Sequence, residues 1–151
     1  MKTLNEYIKE SILDDEDVLI GQAVELAQWC NTIKKFIKRD KFTECCKWLN
    51  DNDIYIAGDQ KYCSWESSGD DLYYWFEGTL PFLFISKINA NEAKIEFMND
   101  YDRDDYSDKD KLKVYGLTQN EYESIENRIN KHFGAKKTKG DNNKIVRVFK
   151  L

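Results

Sequence analysis

From Leu19 the apolar residues Ala23, Leu26, Cys30, Ile33 and Ile37 follow one another at steps of three and four. That spacing draws a single helical face of about five turns. Ahead of it, Thr3 and Glu6 have capping-box spacing, and Leu4, Ile8 and Ile12 recur every four residues, so residues 4–13 are expected to form a short amphipathic helix. The acidic cluster Asp14, Asp15, Glu16 and Asp17 breaks that pattern and can cap the long helix that follows. Asp40 is placed to cap a third helix with Phe42, Cys45, Cys46 and Leu49 inward, ended by the turn-forming residues Asn50 to Asp53.

After residue 53 the period shortens from helical to extended. Residues 54–57, 62–66, 72–77, 80–88 and 94–98 are rich in β-branched and aromatic side chains, and turn-forming clusters at 58–59, 67–71, 78 and 89–91 separate them. Such short connections favour an antiparallel meander. The nearly all-apolar run at 80–85 belongs in its centre, with Pro81 at the strand start, where a missing donor is tolerated. Residues 99–111 are a polar loop, and 112–115 carries the pattern of one further strand. Thr118 and Glu121 form a second capping box for a helix that turns Tyr122, Ile125, Ile129 and Phe133 inward and closes at Gly134. A basic loop at 136–140 then leads to a last strand at 145–151. The expected class is α+β: N-terminal helices, a central antiparallel sheet of about five strands, and a C-terminal helix and strand. Residues 1–13 are expected to form a separate N-terminal helix, open to a leader role, and 14–151 a single domain.

Composition supports a folded chain. With 151 residues, one Pro and 41% hydrophobic residues, a domain of this size buries about 70% of the surface of its unfolded chain. No apolar run approaches the roughly 18 residues that span a bilayer, and no basic start followed by an apolar stretch marks a secretory signal, so no membrane partner is expected. Cys30, Cys45, Cys46 and Cys63 show no CxxC spacing and fall at positions a helix or strand would bury. They read as reduced core thiols of a cytoplasmic protein.

The net charge of −5 is unevenly spread. Residues 1–25 hold seven acids against two lysines, residues 100–111 hold six aspartates against three bases, and residues 128–151 hold eight bases against Asp141. Two poles of opposite sign follow. Phosphate contacts, and hence a nucleic-acid partner, are open to the basic C-terminal region and to the run Lys34, Lys35, Lys38, Arg39 and Lys41. The neutral body as a whole argues against that as the main role.

Catalytic motifs are scarce. His132 is the single histidine and sits in the last turn of a helix, where its charge suits the dipole; most imidazole-based arrangements are thereby removed. The stretch from Asp100 to Asp110 alternates acids like a calcium loop, but Asp105 stands where the sharp turn needs Gly and Lys111 where the bidentate Glu belongs. No phosphate-loop, dinucleotide, nucleophile-elbow or zinc-helix motif occurs, and no cofactor is expected. Glu66, Asp70, Asp71 and Glu77 could form an acid and base pair in a small enzyme, though their spacing selects no pair.

The cluster Trp65, Tyr73, Tyr74, Trp75 and Phe76 says more. Side chains alternate along a strand, so five large rings in one strand pair cannot all enter one core. Some must lie on a second face, either under a helix or open to a partner. Tyr and Trp beside acids are what protein-binding surfaces favour, which makes Trp65, Tyr73, Tyr74, Trp75, Asp70 and Asp71 the candidate partner-binding residues.

The first residues, Met1-Lys2-Thr3-Leu4-Asn5-Glu6-Tyr7-Ile8-Lys9-Glu10-Ser11, resemble the capsid-targeting leader of internal head proteins of T-even-type tailed phages. The resemblance covers about a tenth of the chain. It implies entry into the assembling prohead and cleavage after Glu10, two residues beyond Ile8, leaving Ser11 as the new N-terminus. Internal head proteins are basic, whereas this body is neutral beyond residue 25. The combined expectation is a non-enzymatic phage-encoded protein, cytoplasmic or packaged in the virion, that binds a protein, host defence included. A bacterial immunity or regulatory binding module without a leader is the alternative.

Overall fold

The structure is a computed structural model that describes residues 16–77, 81–100, 112–139 and 145–151. The elements run α1 (Glu16–Lys38), α2 (Phe42–Asp51), β1 (Cys63–Ser68), β2 (Asp71–Phe76), β3 (Pro81–Asn89), β4 (Glu92–Phe97), a 3-10 turn (Met98–Asp100), one helical turn at 112–114, α3 (Gln119–Phe133), β5 (Lys136–Lys139) and β6 (Ile145–Lys150). The six strands make one sheet in the order β1-β2-β3-β4-β6-β5, every neighbouring pair antiparallel. The α+β class is therefore shown. Among the described helices none is long and apolar enough to cross a membrane.

The three helices cover one face of the sheet. Leu26, Cys30, Ile33 and Ile37 of the α1 stripe are buried, and Trp29 joins them, meeting Trp65 and Phe133 edge to face. α2 buries Phe42, Cys45, Cys46 and Leu49, and α3 buries Tyr122, Ile125, Ile129 and Phe133. The rings of Tyr74, Phe82, Tyr115 and Tyr122 meet at the centre, each with no more than 2% exposure. Burying side chains this large contributes about 1.5–3 kcal/mol apiece against leaving them in water. All four cysteines are buried and unbridged.

Helix ends follow one device. α1, α2 and α3 each close with a residue in the left-handed region, Asp40 (φ 58°), Asp53 (φ 54°) and Gly134 (φ 71°). In each case the amides of that residue and of the next bond back into the last turn, as in Asp40 N–H to Ile37 O and Lys41 N–H to Phe36 O. Asp40 thus ends α1 instead of capping α2, and its carboxylate pairs with Lys87 of β3 at 2.7 Å. Lys41 holds the N-cap position of α2 without a side-chain bond. The α3 capping box forms as its residues predict, Thr118 accepting from the Glu121 amide and Glu121 from the Thr118 amide.

Three further expectations from the residue pattern are corrected. Residues 54–57 make no strand, because side chains take the carbonyls a ladder would use: the Trp65 indole donates to Ile54 O, and the Tyr74 hydroxyl and Cys63 thiol donate to Ala57 O. Residues 112–114 form a helical turn closed by Gly116 at φ 65°, which brings Tyr115 against Phe82. Lys136–Lys139 is no loop but the edge strand β5, recruited by the free side of β6 in the register Lys137↔Arg147. Its lysines leave that edge charged and unattractive to another strand.

Candidate functional site

The β1–β2 hairpin separates the predicted aromatic residues by alternation. Trp65 is 2% exposed and Tyr74 fully buried, both on the helix-covered face. Trp65 and Tyr74 are therefore core residues and not part of an accessible binding surface: each ring is held by other rings and each polar atom by a backbone carbonyl. Phe76 packs against the same core, touching Tyr62 and Tyr115.

Tyr73 and Trp75 point the other way. Both are half-buried, and their rings meet edge to face with centroids 4.9 Å apart. In the ladder Tyr73 stands between Glu66 of β1 and Phe84 of β3, and Trp75 stands between Ser64 and Pro81. An aromatic strip thus crosses the face of the sheet opposite the helices. It lies on strongly acidic backbone: residues 63–77 contain Glu66, Asp70, Asp71 and Glu77 and no Lys or Arg. Burial, and then the negative charge of neighbours that include Glu66 and Asp71, push the Tyr73 hydroxyl above its ordinary pKa. Asp70 is exposed in the hairpin turn, and Asp71 accepts from the Ser86 hydroxyl at 2.7 Å on the same face. Of the six candidate partner-binding residues, the fold brings four to one surface.

The remaining candidates fall differently. Ile8, Glu10 and Ser11, with the whole leader at 1–13, lie outside the described residues, as does the acidic loop from 101 onward. Asp100 is described, and it is no loop carboxylate. Together with Glu126 of α3 it pairs with the guanidinium of Arg147, which projects from the helix-facing side of β6 over the Phe97 ring and is 4% exposed. Burial pushes the Glu126 carboxyl upward in pKa, opposed by the Arg147 charge and reinforced by that of Asp100. No sequence spacing links residues 100, 126 and 147. The one available signal is the alternation in β6, which places Arg147 on the same face as the buried Phe149. His132 is half-buried at the end of α3, its pKa lowered by burial and by the charges of Lys131 and Arg128.

Glu66, Asp70, Asp71 and Glu77 are strung along the hairpin surface. None of them lines the cavities of about 520, 450 and 440 Å³ formed by described residues, and no cluster of three metal-ligating side chains occurs among the described residues. The site so defined is an acidic aromatic sheet face. Comparison with protein-family models, with curated proteins and with solved structures finds no significant match to this chain.

Proposed function

We propose that the protein is a non-enzymatic binding protein whose hairpin surface on the sheet face away from the helices, built on the partly exposed Tyr73, Trp75 and Phe84 with Glu66, Asp70 and Asp71, docks a partner protein presenting arginine or lysine side chains. The observation that carries this reading is the Tyr73–Trp75 ring pair, held at 4.9 Å on the face away from the helices. Two amphipathic rings in fixed geometry offer contact area at low entropic cost, and a guanidinium can stack on them while pairing with the carboxylates beside them. In the reading suggested by the N-terminal resemblance, the protein is encoded by a phage and carried in its capsid or made in the infected cell, with a host defence protein as the partner. A bacterial immunity or regulatory module without a leader would use the same face.

The test is site-specific photo-crosslinking in the native host. A benzophenone side chain at Trp75 is expected to capture a discrete partner that the same group at Lys131, on α3, does not. The capture should disappear when Tyr73→Ala is added. Equal capture from both positions would overturn the reading. N-terminal peptide analysis of purified particles separates the two sources: a chain starting at Ser11 supports the leader, and an intact Met1 found only in lysate opposes it.

A further inference from the structure

The sheet has one acidic edge and one basic edge. At the β1–β2 end, residues 63–77 carry four acids and no Lys or Arg; at the β6–β5 end, residues 136–138 and 146–150 carry Lys136, Lys137, Arg147 and Lys150 and no acid. The ladder carries this asymmetry onto the face away from the helices. Tyr73 pairs with Glu66 and Phe84, Phe84 with Glu96, Lys94 with Val148, and Val148 with Lys136, while Glu92 pairs with Lys150. Alternation along each strand then puts Glu66, Asp71, Tyr73 and Trp75 at one end of that face and Lys136, Lys150, Val146 and Val148 at the other. Glu66, Lys136 and Lys150 are exposed, and none of them forms an ion pair among the described residues. Glu92, the ladder neighbour of Lys150, bonds the Asn89 amide at 3.2 Å. Between the two ends Lys94 is balanced by Glu96 of its own strand, and Ser86 and Glu96 are buried, so the accessible and uncompensated charge lies at the ends.

From this arrangement we infer that the face binds a second copy of the chain, sheet against sheet, about a two-fold axis parallel to the strands and between β3 and β4. Charge and symmetry together select that axis. It turns the strand order end for end, so the β1–β2 end of each copy lies over the β6–β5 end of the other. Glu66 then meets Lys136 of the other copy at two equivalent contacts, and Tyr73 and Trp75 come against Val146 and Val148. A two-fold axis across the strands would set acid on acid, and a side-by-side arrangement would join like edges; both are opposed by repulsion. The contact is isologous and closes at two chains. At ordinary strand spacing and rise a six-stranded face spans at most about 600 Å² per chain, below the roughly 800 Å² per partner of a standard interface, so the dimer is a reversible one. The inference rests on the docking reading in that both need the Tyr73–Trp75 surface accessible, and it makes the two occupants exclusive, since a chain docked to a foreign protein through this surface is a monomer.

Sedimentation equilibrium of the full chain from micromolar to millimolar concentration tests the pairing. The mass is expected to rise from one chain to two and no further, and molar salt should weaken the association about tenfold. Glu66→Lys and Lys136→Glu each set like charge on like charge at both contacts, and each is expected to hold the chain monomeric across that range. Mixed together, the two variants should form a heterodimer, because both contacts then pair opposite charges again; a variant that had merely lost its fold would not be rescued in this way. Lys47→Glu, on the exposed side of α2, should leave the association unchanged. The inference is overturned by a wild-type chain that stays monomeric at millimolar concentration, by a mass beyond two chains, or by the two variants dimerising alone or failing to pair when mixed. The docking reading fails separately: a monomeric chain whose Trp75 crosslinker still captures a foreign protein removes only the dimer, and capture of nothing but a second copy removes only the foreign partner.

Discussion

The Asn50 side chain of α2 bonds both backbone groups of Trp65: its amide donates to Trp65 O at 2.9 Å, and its carbonyl accepts from Trp65 N–H at 3.0 Å. β1 is the outermost strand on its side of the sheet, and at Trp65 a helix side chain takes the place of the missing neighbour. An edge left with free amides and carbonyls is a template for association. Asn50→Ala should therefore destabilise the fold by about 1–3 kcal/mol, the cost of two part-buried backbone groups left without partners. It should also promote self-association. Denaturant unfolding together with light scattering measures both, and an unchanged midpoint with a monodisperse sample would remove the edge-capping role.

The hairpin aromatics should divide by face in their effect on stability. Tyr74→Ala and Trp65→Ala remove core rings and are expected to cost about 3–5 kcal/mol. Trp75→Ala, on the face away from the helices, should cost under about 1 kcal/mol, while abolishing partner capture. Chemical denaturation of the three variants checks the order. A Trp75→Ala loss as large as that of Trp65→Ala would mean that the ring is a structural group and not a docking one.

Arg147 balances two acids inside the protein. Arg147→Met leaves Asp100 and Glu126 without their ion-pair partner, and a loss of about 3–5 kcal/mol is expected. Restoring much of that loss with the triple change Arg147→Met, Glu126→Gln and Asp100→Asn would show that the penalty comes from the uncompensated carboxylates and not from lost packing.

The same cluster should write itself into the pH dependence of stability. Glu126 holds its proton more tightly in the folded protein than at its ordinary value of 4.5, with burial as the leading cause. A carboxyl with a raised folded pKa adds stability that is fully present below the unfolded pKa and is lost as pH rises through the folded one. The unfolding midpoint of the wild type, measured against that of Glu126→Gln, should therefore improve as pH falls from neutral toward 4.5. A difference that is flat across that window would contradict the assignment.

Thiol accessibility offers a simple check on the core. Cys46 is 7% exposed, and burial, its leading perturbation, raises its pKa to about 11, so little thiolate exists at neutral pH. The other three thiols are more deeply buried. Labelling by a maleimide should be slow in the native protein and reach four equivalents only on unfolding, as read by intact mass.

Much of the architecture was legible because its signals are local. The α1 stripe from Leu26 to Ile37, the Thr118–Glu121 box and the Gly134 stop each lie within a few turns of chain, where backbone geometry alone decides which side chains share a face. The alternation from Leu72 to Phe76 likewise requires a second aromatic face whatever the sheet around it. It does not fix which phase turns inward, so the pattern alone leaves Trp65 and Tyr74 equivalent to Tyr73 and Trp75. A one-residue shift exchanges the two faces, and only the helices packed on one side settle it.

The rest came from contacts between distant segments. Lys136–Lys139 has poor intrinsic strand preference and became a strand because β6 presented an open ladder. Residues 54–57 have the right composition for a strand, but Trp65, Tyr74 and Cys63 claimed their carbonyls. The Arg147–Asp100–Glu126 cluster draws on three separate elements, and charges so placed leave no period or spacing in the chain. Covalent neighbours alone produce the helical stripes, the α3 caps and the two-faced hairpin. Which face is buried, which edge strand forms and which charges meet depend on the desolvation and pairing of groups that the chain brings together only on folding.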